Sequence, residues 1–293
     1  MWSPTGLVLG PGGIKGFMHL GFLLYMEKHS LLDKIESFVG VSVGAIIALL
    51  IVSGYAVYEA INEASKMNLI DDLASLSFRD IKDGEGIISH RKVKEILTNL
   101  IVKKFGRVLT MGELYTMTGI ELYIASTELD DTNPRPVYFS HKVEPNISCV
   151  EAAILSANIP IIFHRLYYKG KSFIDGAFTS PYPLHLVDTG ERDVLGIYIE
   201  ISFSNRDGFF TYLRQAFYSG MVQLRKEAVK NASNRCRHVK LVAGTVDPVG
   251  FTTSEEDKIK MVTEGYDIAR KFFEGISESL LVAAESIEII EEV

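Results

Sequence analysis

An α/β architecture, with a mainly parallel central sheet covered by helices on both faces, is predicted by three observations. Strand and helix patterns alternate from Thr5 to Ser53. The run VLGIYIEIS at 194–202 is almost wholly apolar, as in a strand buried on both faces. Glycine-rich or glycine-framed turns stand where the first two strands give way to helices.

In chain order, Thr5 to Leu9 reads as a strand that enters the loop GPGGIKG (10–16), and a helix runs from about Lys15 to Lys28. SFVGV has the β-branched and aromatic content of a buried strand ending at Val41, and AIIALLIVS after Ser42 has the content of a buried helix. Strands follow at 121–127 and 136–140, a helix at 148–157, and KSFIDGA as a strand entering a turn. After the 194–202 strand the texture is helical from Phe209, with one more strand at 238–244. The stretch from Ser254 to Val293 reads as a long amphipathic helical region broken at Gly265 or Gly275. No repeat, low-complexity segment or linker is visible. The expected division is a catalytic domain over 5–200 and a mostly helical part over 201–293 packed on the same domain.

Composition narrows the function. The 293 residues, 47% of them hydrophobic, suffice for a large core. With 30 basic and 37 acidic side chains the net charge is -7, which gives no electrostatic reason for a nucleic-acid partner. Cys149 and Cys236 are too few for a disulfide framework and too far apart for a metal knuckle. No basic leader precedes an apolar stretch, and Trp2 excludes a myristoylation start, so the expectation is a cytoplasmic protein with contact at a membrane surface at most. The segment from Ser37 to Tyr58 carries no charge and is about long enough to cross a bilayer, but Gly40, Gly44, Gly54 and three serines weaken that reading.

GVSVG (40–44) is a G-x-S-x-G pentapeptide between a predicted strand and a predicted helix, the context of a nucleophile elbow. The helix after Ser42 turns its positive end toward the hydroxyl. Taken alone, the pentapeptide also fits close helix packing. GPGGIKG lies where exposed backbone N–H groups form an anion hole, suited to the oxyanion of acyl transfer or to a phosphate. Lys15 stands where a dinucleotide loop would need its third glycine, which weakens the nucleotide alternative. In FIDGAFTSPYPL (173–184), Asp175 ends a strand at the same sheet edge as Ser42 and could act as its general base, although an Asp-Gly pair is also an ordinary turn.

Together these motifs resemble the patatin-like phospholipases. Gly12, Gly13, Ile14, Lys15 and Gly16 match that family's G-G-x-[RK]-G loop, GVSVG its elbow, and Asp175, Gly176 and Ala177 its D-G-[GA] motif, while SANIPIIF (156–163) looks like the segment preceding its aspartate. The resemblance implies a three-layer patatin-like fold related to the α/β-hydrolases. It also implies a Ser-Asp dyad, with Ser42 as nucleophile, Asp175 as base, and Gly12, Gly13 and Ile14 around the oxyanion hole. The substrate would be a phospholipid or other acyl lipid, with no metal or cofactor. Pro181 departs from the family, which often has an asparagine there.

A triad would draw its histidine from His185 or His238, neither in a distinctive setting; His19 and His164 receive no role. The stretch 207–226 spaces Phe210, Leu213, Phe217, Met221 and Leu224 at helical intervals, a lipid-facing lid, a dimer contact or core. Arg225, Lys226, Lys230, Arg235, Arg237 and Lys240 form a basic cluster that could meet lipid headgroups or remain a solvated face. A non-catalytic storage or interaction protein on the same fold is the alternative from another class.

Overall fold

The computed structural model describes residues 2–66, 89–130, 132–160, 162–201, 209–243 and 253–275. The strands are β1 (Gly6–Leu9), β2 (Ser37–Val41), β3 (Glu121–Leu129), β4 (Arg135–Phe139), β5 (Leu166–Tyr168), β6 (Lys171–Asp175), β7 (Val194–Ile201) and β8 (Cys236–Ala243). The helices are α1 (Gly16–Lys28), α2 (Val43–Val52), α3 (Val57–Ser65), α4 (Arg91–Phe105), α5 (Met111–Thr118), α6 (Cys149–Ser156), α7 (Phe209–Lys230) and α8 (Glu255–Glu274).

The strands form one sheet in the order β5-β6-β3-β2-β1-β7-β8, with β4 also paired to β3. From β3 through β2, β1 and β7 to β8 every pairing is parallel, as expected. The β4, β5 and β6 pairings are antiparallel. Lys169 and Gly170, at φ 50 and 76, make the two-residue turn that joins β5 to β6.

Alternate residues of the central strands enter different cores, as the two-residue period of a strand buried on both faces requires. Leu7, Leu9, Phe38, Leu122 and Ile124 join a large cluster with residues of α1 to α6 and α8. Val8, Val39 and Tyr123 join a smaller one with Tyr182, Leu184 and Val187, against which Ala228 and Val229 of α7 pack. Helices thus cover both faces of a mixed, mostly parallel sheet.

The uncharged run from Ser37 to Tyr58 is three elements: β2, α2 and the start of α3. Gly54 at φ 80 separates the two helices. Among the described residues no helix is long and apolar enough to cross a membrane. The region from Val57 to Thr118, left unassigned by sequence, contributes α3, α4 and α5. On α4, Val93, Leu97, Leu100 and Ile101 are buried at helical spacing.

Residues beyond 200 contribute a strand as well as helices, because β8 extends the sheet beside β7. α8 starts at Ser254, whose hydroxyl accepts from Asp257 N at 3.1 Å, and ends at Gly275 in a left-handed cap at φ 70. Gly275 is therefore the break. Gly265 lies inside the helix at its crossing with α1, where a Cβ would sit 2.1 Å from the Met18 carbonyl oxygen; a Cβ on Gly21 would lie 2.0 Å from that of Val262. The two backbones touch, which ties α8 to the helix that follows the glycine loop. Residues 276–293 of the expected C-terminal helical region lie outside the described residues.

Candidate active site

Ser42 alone connects β2 to α2, at φ 57 and ψ -127. A side chain at positive φ is strained by about 1–3 kcal/mol and must be held there by its surroundings. The holding contacts are specific. Gly44 lets the first turn of α2 lie against the end of β1, since a Cβ there would sit 2.3 Å from the Leu9 carbonyl oxygen and 2.8 Å from that of Gly10. Ser42 N donates to Ser156 Oγ at 2.9 Å. The Ser42 side chain is only 4% exposed, and its hydroxyl donates directly to Asp175 Oδ2 at 2.5 Å.

The registers on β3 explain how residues 133 positions apart meet. One edge of β3 pairs with β4 from 124 to 128. The other edge takes β2 up to the pair Val41–Ala125, and then β6 from the pair Asp175–Ser126 onward. β2 and β6 therefore run head-on along one edge, and each delivers its last or next residue to the junction. Sequence placed both residues at strand ends on one sheet edge; the structure adds that the two strands run in opposite directions.

Asp175 is 2% exposed. Burial pushes its carboxyl up to about 7, against the opposing pull of the Ser42 hydroxyl and the Ala177 N–H. Ala177 N donates to Asp175 Oδ1 at 2.8 Å, Asp175 N donates to Asn158 O at 2.8 Å, and Thr127 Oγ1 donates to Asp175 O at 3.0 Å. Gly176 opens the short 3₁₀ turn to Phe178. The carboxylate is thus fixed at both oxygens and through its backbone, a group suited to taking a proton near neutral pH.

On the other side, β1 ends at Leu9 and Gly10 N donates to Ile197 O at 2.9 Å. Gly12 is extended, and Gly13 at φ 55 begins the 3₁₀ turn Gly13–Lys15 that continues into α1 at Gly16. The leading N–H groups of such a start have no partner within the helix. Lys15 is fully buried. His19, without a role in the sequence reading, is fully buried and bonds Gly10 O through Nε2 at 3.0 Å. Burial pulls its pKa down to about 4, so the ring is neutral at pH 7 and Nε2 carries the proton that the carbonyl accepts. The only sequence signal for it is a lone polar residue in the apolar run FMHLGFLL.

The two histidines considered for a triad have other partners. His185 packs edge-on against Tyr138 with centroids 5.3 Å apart, and His238 Nδ1 pairs with Tyr182 OH at 3.1 Å. Since Ser42 bonds Asp175 directly, no histidine intervenes between them. The basic cluster is partly engaged: Arg225 lies over the Tyr198 ring at 4.3 Å, Arg235 pairs with Asp193 at 3.0 Å, Lys240 with Glu200 at 3.0 Å, and Arg237 covers Trp2 at 4.5 Å. On α7, Met221 packs against Val41, Ala125 and Ala177 beside the dyad, and Phe217 contacts Phe178 at 5.2 Å while remaining 43% exposed. Among the described residues no group of three or more His, Cys, Asp and Glu side chains is placed to hold a metal ion.

Fold and site together define an α/β protein with an elbow serine bonded directly to an aspartate. The chain belongs to the patatin-like phospholipase family, whose sequence pattern matches residues 7–188. It is 29% identical over 183 residues to the probable lipid hydrolase 463L of Invertebrate iridescent virus 6, a match covering 61% of this chain and 62% of that one. It is 28% identical over 208 residues to an uncharacterized protein of Acanthamoeba polyphaga mimivirus, covering 69% and 67% of the two chains. The chain thus spans less than two thirds of the length of the iridescent virus relative. In fold it is similar to VipD from Legionella pneumophila, with a TM-score of 0.60 at 15% identity over 94% of this chain and 67% of that one. It is also similar to ExoU from the type III secretion system of Pseudomonas aeruginosa, solved in complex with SpcU, with a TM-score of 0.58 at 21% identity over 93% of this chain and 53% of that one.

Proposed function

We propose that this protein is a lipid acyl hydrolase of phospholipase A type, a serine esterase that cleaves fatty-acyl ester bonds through the Ser42–Asp175 dyad and an acyl-enzyme. The 2.5 Å bond from Ser42 Oγ to a buried carboxylate carries this reading. Family membership and the lipid-hydrolase name of the viral relative support the substrate class.

Ser42 Oγ attacks the ester carbonyl carbon as its proton passes to Asp175 Oδ2. The carbonyl oxygen takes up the electron pair and is stabilised by backbone N–H groups of Gly12, Gly13 and Ile14 and by the positive end of α2. Collapse of this intermediate breaks the bond to the alcohol, which leaves with the proton from Asp175. Water then attacks the acyl-enzyme, gives a proton to Asp175, and the fatty acid departs as Ser42 Oγ recovers it. Lys15 and Gly16 of the glycine loop, Gly40 and Gly44 of the elbow, and Gly176 and Ala177 after Asp175 shape the three turns and contribute no proton. Lipid reaches the dyad past α7, where Phe217 and Leu224 are partly exposed at 43% and 39%.

The test is fatty-acid release from phosphatidylcholine vesicles and from a soluble p-nitrophenyl ester, with chelator present, for the parent and Ser42→Ala. Release by the parent and none by the variant is expected. Equal release by both would overturn the mechanism, and a parent that does not react with a fluorophosphonate probe would favour a non-catalytic member of the family.

A further inference from the structure

The junction where β2 stops and β6 begins leaves a gap in the ladder along β3. Val41 is paired with Ala125 and Asp175 with Ser126, but between them the positive φ of Ser42 turns the chain out of the strand. Ser42 N and Ala125 O are then a donor and an acceptor without ladder partners, in residues that are 4% and 0% exposed. Such groups are costly unless bonded.

Ser156, the last residue of α6 and fully buried, bonds both. Its Oγ accepts from Ser42 N at 2.9 Å and donates to Ala125 O at 2.5 Å. A hydroxyl has one proton and two lone pairs, so it can splice an N–H to a carbonyl; an alanine can satisfy neither. Two residues on, Asn158 receives Asp175 N on its carbonyl at 2.8 Å and donates from Nδ2 to Phe173 O at 2.8 Å. The end of α6 therefore grips the backbone on both sides of the junction.

On the reading of Ser42 and Asp175 as a dyad, we infer that Ser156 is a positioning residue that holds the strained Ser42 turn in place and so sets the distance from nucleophile to base. The same bond occupies the Ser42 N–H, which assigns stabilisation of the oxyanion to donors other than Ser42 N. Ser156 never meets substrate. Its loss lets the turn relax toward ordinary backbone angles and carries Ser42 Oγ away from Asp175 Oδ2.

The experiment compares the parent, Ser156→Ala, Ser156→Cys and Ser37→Ala for kcat and KM on a soluble p-nitrophenyl ester, labelling rate by a fluorophosphonate probe, and thermal melting. Ser37 is the matched control: at the far end of β2 it donates to Glu121 Oε2 at 2.9 Å and accepts from Arg192 Nη1 at 2.8 Å. Ser156→Ala should lose about 100-fold in kcat and in labelling rate with KM unchanged, the scale of an ångström's misplacement. The acid limb of its pH–kcat profile should move to higher pH, because the Ser42 hydroxyl no longer favours the Asp175 carboxylate. Ser156→Cys, with a weak donor and acceptor, should fall between the two and serves if the alanine variant does not fold. Ser37→Ala should lower the melting temperature and leave kcat and labelling at the parent's level. A parent that is labelled alongside Ser156→Ala or Ser156→Cys variants labelled equally fast would overturn the inference alone. An equal loss of kcat in Ser37→Ala would also overturn it, while an unlabelled parent would remove the dyad reading beneath it.

Discussion

Replacing Asp175 by asparagine should make the protein more stable at alkaline pH while abolishing turnover. The carboxyl titrates at about 7 in the folded protein, against 3.8 as its ordinary value. Between those two pH values the unfolded chain has released the proton and the folded chain still holds it, so stability falls as pH rises and the loss is complete above about 7. A separation of about three pH units corresponds to about 4 kcal/mol. Asparagine keeps the shape, accepts from Ala177 N, and has no charge to desolvate. The measurement is urea unfolding of the parent and Asp175→Asn at about pH 5 and about pH 8.5, beside ester hydrolysis over the same range. The variant should gain several kcal/mol over the parent at the higher pH and much less at the lower, while the parent's kcat falls about tenfold per pH unit below about 7. Parallel pH dependence of stability in the two proteins, or a parent rate flat from acid to alkaline pH, would refute the reasoning.

Other perturbations probe the surrounding structure. Ser42→Gly should be inactive yet about 1 kcal/mol more stable by urea unfolding, because glycine adopts φ 57 without strain. Gly44→Ala should fail to fold or lose more than about 3 kcal/mol, through the 2.3 Å approach to Leu9 O; Gly54→Ala, at φ 80 with nothing within 4 Å, should lose only about 1 kcal/mol. His19→Phe leaves the Gly10 carbonyl without its buried donor, so it should lower stability by about 1–3 kcal/mol and kcat by about tenfold. It should not move the acid limb of the pH profile, since His19 is already neutral across that range.

Much of this was legible in the sequence because the motifs are local. The Gly-Ser-Gly frame, the glycine loop and the Asp-Gly turn each sit at the end of an apolar run, so their elements and the shared sheet edge follow from period and punctuation. The antiparallel approach of β6 was not legible, because pairing depends on partners far away in the chain and β5 is only Leu166–Tyr168. Ser156 and His19 were hidden for another reason. Each is a polar residue flanked by apolar ones, and what it bonds is decided by how its helix lies on the sheet, which periodicity does not encode. Gly265 illustrates the converse: in sequence it reads as a helix breaker, and only the crossing with α1 reveals it as a packing notch.

The head-on arrangement of β2 and β6 has a consequence for how the chain tolerates insertion and loss. The reach from nucleophile to base is the space left between two strand ends on a common rail, so it is fixed by strand length and not by the length of chain between them. The connection between α4 and α5, residues 106–110, could lengthen without altering it. Deleting one residue from β2 or β6 would instead retract that strand by about 3.3 Å, more than a hydrogen bond can span beyond its normal reach. Length polymorphism among relatives should accordingly gather in the helical connections, while the residue counts from Ser37 to Ser42 and from Lys171 to Asp175 stay constant.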